Sequence, residues 1–213
     1  MKVLNKLATL IKFKASFSSK RYWMDRYTTG ETSGPGSYEH LAEFKAAIIN
    51  KFISNNFIKS VIEFGCGDGN QLLLANYSSY IGVDISEKAI NICKDKFASD
   101  QSKKFILLQD HDAQSAELAL SLDVIFHLVE NKVFEEYMNR LFKSAYSFVI
   151  IYSSNTDKLA SAAIHVKHRK FTDWIAKNEL SWTLIETIPN KYPYDGDYFN
   201  TSFCDFYIYK KSI

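Results

Sequence analysis

Short apolar runs alternate with amphipathic stretches along most of the chain. The runs are continuous enough to be strands buried on both faces, and they lie at 60–65, 80–84, 104–108, 118–125 and 147–152. The amphipathic stretches repeat apolar residues at helical spacing, and they lie at 38–55, 70–77, 86–98 and 133–146. Because strands that alternate with helices form right-handed βαβ crossovers, the pattern predicts a parallel sheet with helices on both faces.

The two ends of the chain depart from this alternation. After a helical stretch at 168–178, the runs 182–189 and 201–211 are joined by a segment rich in turn-forming residues. These two runs predict an antiparallel hairpin at the end of the sheet. Near the other end, residues 22–37 (YWMDRYTTGETSGPGS) contain three glycines, one proline and several hydroxyl groups, which predicts a loop.

The first residues have a pattern of their own. Apolar residues from Val3 to Ile11 fall on one helical face with lysines around them, which predicts a short basic helix that packs on the protein or weakly contacts a membrane surface. Its apolar run is too short for a signal sequence or a membrane span. We therefore expect residues 1–37 to form a basic helix and a covering loop, and residues 38–213 to form one domain.

Composition narrows the class of protein. With 213 residues, of which 46% are apolar, the chain can bury the core of one domain. The net charge of +2 is too small to predict a nucleic-acid partner. The three cysteines show neither disulfide spacing nor a CxxC motif, which predicts a reducing cytoplasm. The histidines and acidic residues lack metal-ligand spacing, so no metal is expected. A magnesium site made of carboxylates scattered along the chain is the alternative.

A glycine-rich segment follows the first predicted strand. The sequence VIEFGCGDGN, residues 61–70, holds three of the eight glycines of the chain at the sheet edge where ligands bind in such folds. Its pattern is E-x-G-x-G-x-G, which differs from the G-x-G-x-x-G of pyrophosphate binders, and it has no phosphate-loop lysine. Asp84 ends the next strand, where a carboxylate can accept hydrogen bonds from two ribose hydroxyls. An adenosyl ligand without a pyrophosphate fits both features.

Four motifs in this order resemble those of the class I S-adenosylmethionine-dependent methyltransferases. They are VIEFGCGDG, GVDIS, QDHDA and SLDVIFHL, and the resemblance extends over residues 40–211. It implies a Rossmann-like three-layer α/β sandwich with a mostly parallel seven-stranded sheet in the order 3-2-1-4-5-7-6. The antiparallel strand of that order suits the C-terminal hairpin. The implied cofactor is S-adenosylmethionine.

The resemblance also assigns cofactor contacts. Gly65, Gly67 and Cys66 are expected to line the methionine and ribose portion, and Glu63 is expected to support their loop. Asp112 is expected to accept the adenine amino group, with Asp110 as an alternative. The full expected set is Glu63, Gly65, Cys66, Gly67, Asp84, Ile85, Asp112, Ala113 and Leu122.

Two segments outside the four motifs are candidates for acceptor binding. The segment 162–174 concentrates cations and imidazoles, which suit an anionic acceptor, although a solvated basic helix start would look the same. There His165 and His168 are the candidate general bases for a hydroxyl acceptor. An acceptor that is already an oxyanion needs no base, and the two histidines would then only bind it. The residues expected to bind the acceptor are Tyr22, Arg26, Ser33, Asp123, His127 and Arg169.

Two of these assignments have alternatives. Tyr22 and its neighbouring aromatic residues can instead close over the cofactor sulfonium. Asp123 can instead cap a helical turn, with His127 filling a polar gap.

The sequence thus predicts a methyltransferase that acts on a small, anionic acceptor, by methyl transfer to oxygen. The acceptor-binding segments also resemble those of small methyltransferases of bacterial surface-polysaccharide biosynthesis. This looser resemblance implies a sugar, a nucleotide-sugar or a phosphoramidate as the acceptor. An RNA methyltransferase and a noncatalytic nucleotide-binding subunit are the alternatives, although neither a basic patch nor an RNA-binding module accompanies the motifs.

Overall fold

A computed structural model describes residues 17–159 and 163–212 of the chain. The predicted basic helix before residue 17, with its expected membrane-surface contact, lies outside these residues. The helices are α1 (Ser19–Thr28), α2 (Glu39–Asn55), α3 (Glu87–Lys96), α4 (Asn131–Lys143) and α5 (Phe171–Asn178). The strands are β1 (Val61–Phe64), β2 (Tyr80–Asp84), β3 (Lys103–Leu107), β4 (Ala116–Leu122), β5 (Ala145–Ser153), β6 (Trp182–Ile188) and β7 (Asp205–Lys211).

The seven strands form one sheet in the order β3-β2-β1-β4-β5-β7-β6, as predicted. The first five strands pair in parallel, and β7 pairs antiparallel with both β5 and β6. Buried apolar side chains form two clusters, one containing Ile49 of α2 and the other containing Met138 of α4. The inner strand β1 is buried along its whole length because helices cover it on both sides.

Two local predictions were wrong. Residues 22–28, expected to be a loop, belong to α1, whose first turn is capped by the Ser18 side chain accepting a hydrogen bond from the Arg21 amide. The predicted helix at 70–77 is a single 3₁₀ turn, Gln71–Leu74, followed by extended backbone at Ala75. The chain after the glycines therefore crosses to β2 through a short turn.

Strand β4 ends three residues earlier than predicted. Asp123 adopts a left-handed conformation with φ of 59°, which is unusual for a residue other than glycine. The chain then makes a 3₁₀ turn from Ile125 to His127 before α4 begins. This geometry places both Asp123 and His127 at the carboxyl edge of the sheet.

Candidate active site

A cavity of about 290 Å³ opens at the carboxyl edge of β1, β2 and β4. It lies beneath residues 19–38, which comprise α1 and the loop to α2 and which we call the covering segment. The lining residues used below are Lys20, Trp23, Tyr27, Ser33, Lys45, Glu63, Gly65, Cys66, Gly67, Gln71, Asp84, Ile85, Leu122, Asp123, His127 and Arg140. The cavity therefore combines the glycine segment with residues from both ends of α1.

The glycine loop, residues 65–69, makes the floor of the cavity. The amides of Gly65 and Cys66 both donate to the Val83 carbonyl, which fixes the loop against β2. Gly67 has φ of 56°, and a Cβ there would lie 2.2 Å from Ser33 Oγ. Only glycine fits both the backbone conformation and the contact with the covering segment.

Asp84 stands at the end of β2 beside this floor. Its carboxylate accepts hydrogen bonds from the Gly67 amide at 3.0 Å and the Ser86 amide at 2.9 Å. Burial raises its pKa, and the two backbone donors oppose that effect. These two contacts hold the Asp84 carboxylate beside the cavity, where we expect it to accept hydrogen bonds from ribose hydroxyls.

Glu63 is buried under the same loop. Tyr80 donates its hydroxyl hydrogen to Glu63 Oε2 at 2.7 Å. Burial raises the pKa of Glu63 to about 7, although the Tyr80 hydrogen bond and the charge of Lys45 act in the opposite direction. A cation entering the cavity would favour the ionised form of this carboxyl group.

The covering segment is fastened to the glycine loop through Asp68. The Asp68 carboxylate accepts hydrogen bonds from the Ser33 amide at 2.9 Å and the Tyr38 hydroxyl at 2.8 Å. In return, the Asp68 amide donates to Ser33 Oγ, which also lies 3.0 Å from the Tyr27 hydroxyl. Ser33 thus links the covering segment to the floor, and because it also lines the cavity its expected contact with the acceptor stays a prediction.

The first turn of α1 is fastened at a second point. The Ser19 amide donates to Glu130 Oε1 at 2.9 Å, and the Ser19 hydroxyl donates to Glu130 Oε2. The Val129 amide donates to Ser19 Oγ at 3.0 Å. Hydrogen bonds at both ends therefore hold α1 across the cavity.

Asp123 pairs with a lysine that the sequence did not single out. Lys45 Nζ of α2 lies 2.6 Å from Asp123 Oδ2, and the two side chains are 1% and 21% exposed. Lys45 Nζ also lies over the Tyr152 ring, 5.3 Å from its centre. The 3₁₀ turn after Asp123 has no side-chain cap, so the carboxylate is directed toward Lys45 and does not close that turn.

His127 lines the cavity close to α1. Its ring contacts Trp23 edge to face, with 4.8 Å between ring centres. Its Nδ1 lies 3.1 Å from the His165 carbonyl oxygen. Because a carbonyl oxygen only accepts hydrogen bonds, Nδ1 carries the hydrogen. Burial lowers the pKa of His127 to about 3, so the ring is neutral and Nε2 keeps its lone pair.

The two histidines expected to act as bases lie behind the cavity wall. The His165 ring stacks on Tyr22, with 4.6 Å between ring centres, and packs behind the His127 ring at 5.5 Å. His168 Nδ1 lies 2.7 Å from Ser154 Oγ. Neither ring is among the residues that line the cavity. His165 contributes to the site through its carbonyl contact with His127.

The expected anion-binding cations have partners within the chain. Arg169 donates to the Leu128 carbonyl at 2.6 Å and the Val129 carbonyl at 2.8 Å, beneath the loop that holds Ser19. Arg26 donates to the Thr32 carbonyl at 2.7 Å and pairs with Glu31. Tyr22, Arg26 and Arg169 lie outside the cavity lining.

The remaining residues expected to contact the cofactor divide into two groups. Ile85 and Leu122 line the cavity. Asp112, Ala113 and the alternative Asp110 are exposed on the loop after β3 and lie outside the lining. Their assignment to the adenine stays a prediction.

Sequence reasoning also missed Gln71 of the 3₁₀ turn. Its amide nitrogen donates to the Ala42 carbonyl at 3.0 Å, which directs its buried Oε1 away from that partner. Oε1 has no hydrogen-bond partner in the part of the chain that the structure describes. As a buried acceptor in the cavity wall, Oε1 is available to a ligand that donates a hydrogen bond.

Two further findings concern other kinds of site. Within residues 17–159 and 163–212, no three His, Cys, Asp or Glu side chains come together as a metal site requires. Among the same residues, no helix has both the length and the apolar character needed to cross a membrane.

Solved structures share this fold at low sequence identity. The magnesium protoporphyrin IX methyltransferase of Synechocystis PCC 6803, solved with bound S-adenosylmethionine, has a TM-score of 0.67 and 14% identity, covering 93% of this chain and 99% of that one. The N-methyltransferase NodS of Bradyrhizobium japonicum WM9 has a TM-score of 0.63 and 15% identity, covering 82% and 99%. A putative RNA methyltransferase of Pyrococcus horikoshii has a TM-score of 0.58 and 14% identity, covering 90% of each chain.

Sequence comparison gives the family. No curated protein matches the chain significantly. The sequence model of the methyltransferase domain matches residues 58–193, a range that contains the glycine loop, Asp84 and His127. This match confirms the predicted cofactor, S-adenosylmethionine. The chain therefore belongs to the methyltransferase domain family.

Proposed function

We propose that this chain transfers the methyl group of S-adenosylmethionine to a small acceptor bound beside the cofactor. One observation carries this proposal: the glycine loop and Asp84 line the same cavity as Lys45, Asp123 and His127. The first group suits a nucleoside, and the second offers polar side chains for an acceptor. Both lie under the covering segment, so the two substrates can be held together away from water.

The cavity residues fit the cofactor. S-adenosylmethionine supplies an electrophilic methyl group on a sulfonium, and its methionine portion carries an ammonium group. The unpaired Oε1 of Gln71 can accept a hydrogen bond from that ammonium. Glu63 offers a nearby carboxyl group, and Asp84 is held ready to accept ribose hydroxyls. The aromatic rings of Trp23 and Tyr27 add faces that attract a cation.

The cavity lies beneath the covering segment, which supports a small acceptor more than RNA. The covering segment is hydrogen-bonded at Ser19 and again at Ser33, so a polynucleotide would have to break these contacts to reach the floor. Arg26 and Arg169 are also occupied by partners within the chain. RNA methylation therefore has less support from the geometry, although one structural neighbour is described as a putative RNA methyltransferase.

Within the small acceptors we propose a sugar or nucleotide-sugar and methyl transfer to oxygen. The sequence resemblance to enzymes of surface-polysaccharide biosynthesis supports this class. A phosphoramidate or another anion has less support, because the contacts of Arg169 hold its guanidinium against the chain. A location in a reducing cytoplasm is part of the proposal, and it rests on the spacing of the three cysteines in the sequence.

Label transfer tests this proposal. The protein would be incubated with S-adenosylmethionine carrying a tritiated methyl group and with separate panels of sugars, nucleotide-sugars, phosphoramidates and transfer RNA. We expect label in a sugar-containing acceptor. Label in RNA alone, retained when Lys45 or His127 is substituted, would contradict the proposed acceptor class.

A further inference from the structure

The loop between β6 and β7 carries aromatic side chains that do not line the cavity. We call residues 189–204 the aromatic loop, and its rings are Tyr192, Tyr194, Tyr198, Phe199 and Phe203. Tyr194, Tyr198 and Phe199 are 37%, 63% and 75% exposed. A single exposed ring needs no explanation, but several exposed rings on one short loop mark a surface for binding.

Two of the exposed rings lie side by side. The ring centres of Tyr194 and Tyr198 are 4.9 Å apart, and their planes are inclined at 39°. Their hydroxyl groups are close enough for Tyr198 to raise the pKa of Tyr194 to about 12. Phe199 follows directly in the sequence. We call Tyr194, Tyr198 and Phe199 the platform, because their ring faces offer apolar area to a ligand in solvent.

Hydrogen bonds within the aromatic loop hold the platform in place. The Asp197 carboxylate accepts hydrogen bonds from the Phe199 amide at 2.8 Å and from the side-chain amide of Asn200 at 2.7 Å. Asp195 Oδ1 accepts a hydrogen bond from the Asp197 amide at 3.0 Å. The Asn200 carbonyl oxygen lies 2.9 Å from Nε2 of His40, which fastens the loop to α2. A ligand would therefore meet a preformed surface and would lose little free energy in ordering it.

Contacts between rings connect the platform with the acceptor side of the cavity. His127 lines the cavity, and its ring centre lies 4.3 Å from that of Phe126. Phe126 contacts Phe203 at 5.0 Å, and Phe203 contacts Tyr194 at 5.9 Å. Three ring contacts thus separate a cavity residue from the platform, a distance that a chain of a few sugar units can span.

The charges of the aromatic loop narrow the kind of ligand. The loop contains Asp195 and Asp197 but only one cation, Lys191. The cavity cations Lys20 and Arg140 belong to α1 and α4. Because phosphate groups bind where cations are concentrated, the loop suits neither a nucleic acid nor an anionic lipid surface.

A neutral sugar chain matches what the platform offers. The CH groups of a pyranose ring are apolar, and they can pack against aromatic ring faces. Sugar hydroxyls need hydrogen-bond acceptors, and Asp195 Oδ2 has no partner in the part of the chain that the structure describes. The sugar class of the proposed acceptor and the chemistry of the platform therefore agree.

We propose that the acceptor is a short neutral oligosaccharide, with one unit in the cavity and the following units on the platform. The rings of Tyr194, Tyr198 and Phe199 pack against the sugar faces, and Asp195 accepts a hydroxyl hydrogen. This inference rests on the proposed methyltransferase function and names the size and charge of the acceptor of the same site.

NMR of labelled aromatic rings tests the inference without methyl transfer. The protein, with ¹³C-labelled tyrosine and phenylalanine rings and saturated with S-adenosylhomocysteine, would be titrated with maltopentaose, cellopentaose, N-acetylchitopentaose and glucose. We expect a pentaose to shift the platform resonances and to bind at least tenfold more tightly than glucose. Platform resonances that no pentaose shifts, or that only a decalysine peptide shifts, would overturn the inference. Failure of S-adenosylhomocysteine to bind would instead contradict the proposed function.

Matched tyrosine substitutions give the second arm of the test. Tyr198→Ala should weaken pentaose binding about tenfold, whereas Tyr198→Phe keeps the ring face and should stay within about twofold of wild type. Tyr146→Ala, which removes a tyrosine of β5 that is 54% exposed, is the control and should bind the pentaose as wild type does. All three variants should keep their affinity for S-adenosylhomocysteine. Equal pentaose binding by wild type and Tyr198→Ala would overturn the inference while leaving the methyltransferase function intact.

Discussion

Glu63 shows how burial raises the pKa of a carboxyl group. The carboxyl group lies fully buried under the glycine loop, and its pKa is raised from 4.5 to about 7. Between these two values the folded chain holds a proton that the unfolded chain has released. The stability that this proton confers is complete below about pH 4.5 and is lost as the pH rises through about 7.

The first prediction concerns this loss of stability with rising pH. From about pH 4 to about pH 8, the free energy of unfolding of the wild type should decrease by about 3 kcal/mol relative to that of Glu63→Gln, because glutamine does not titrate. Urea unfolding of both proteins across that range measures the difference. Glu135→Gln, a substitution on the exposed side of α4, is the control and should follow the wild type. Parallel curves for wild type and Glu63→Gln would contradict the buried, titrating carboxyl group.

Gly67 gives a second prediction at this scale. Gly67 and Gly30 both have positive φ, but a Cβ at Gly30 would meet nothing within 4 Å, whereas one at Gly67 would overlap Ser33 Oγ. Gly30→Ala should cost about 1 kcal/mol of stability from backbone strain alone. Gly67→Ala should cost about 1–3 kcal/mol more from the overlap, and it should also weaken cofactor binding. Chemical unfolding and calorimetry measure the two effects, and equal results for the two variants would contradict the contact.

Single residues also mark the limit of sequence reasoning. Asp84 could be selected because it ends a predicted strand at the ligand-binding edge. Asp123 and His127 could be selected because they lie in a motif, SLDVIFHL, that resembles one of the family's motifs. Lys45 could not, because a lysine in an amphipathic helix predicts a solvent-facing position, and its partner Asp123 is 78 residues away in the sequence. Long-range pairing of this kind is visible only once the fold is known.

Among the elements, the covering segment differs most from expectation. Glycine and hydroxyl residues after Thr28 led to the prediction of one loop from 22 to 37, although the Ser18 cap begins a helix that ends at Thr28. The predicted helix after the glycine loop is only a 3₁₀ turn because Ala75 is already extended. Both errors arose near clusters of glycine, where local preferences are weak and tertiary hydrogen bonds decide the conformation.

The hydrogen bond between Tyr38 and Asp68 allows a test of how the covering segment is held over the cavity. Tyr38→Phe removes one contact that fastens the covering segment, at a cost of about 1 kcal/mol. S-adenosylhomocysteine should then dissociate about fivefold faster, and the amides of residues 29–37 should exchange hydrogen faster. Stopped-flow binding and hydrogen exchange measure these changes.

A matched tyrosine controls this experiment. Tyr146 lies on β5, and its hydroxyl contacts Ser60 at 3.2 Å, outside the cavity. Tyr146→Phe should leave both rates unchanged. If Tyr38→Phe and Tyr146→Phe give the same rates, the covering segment is not held through Asp68.

At the scale of the whole molecule, the number of strands and their order in the sheet were predictable. Apolar runs gave the strands to within a few residues, and the family resemblance gave the order β3-β2-β1-β4-β5-β7-β6 that the structure has. That order places the ends of β1, β2 and β4 side by side, which brings the glycine loop, Asp84 and Asp123 to one cavity. The identity of the acceptor does not follow from the order, because the residues around the acceptor come from the covering segment and from turns.

Cofactor binding tests the central claim most directly. Calorimetry would compare S-adenosylhomocysteine, NAD and ATP on the wild type, on Asp84→Ala and on Asp95→Ala, whose substitution lies on the exposed side of α3. We expect one saturable site for S-adenosylhomocysteine, weakened by about 2 kcal/mol in Asp84→Ala and unchanged in Asp95→Ala, with far weaker binding of NAD and ATP. Tighter binding of NAD or ATP, or equal affinity for S-adenosylhomocysteine in a folded Asp84→Ala protein, would contradict the assignment of this cavity to S-adenosylmethionine.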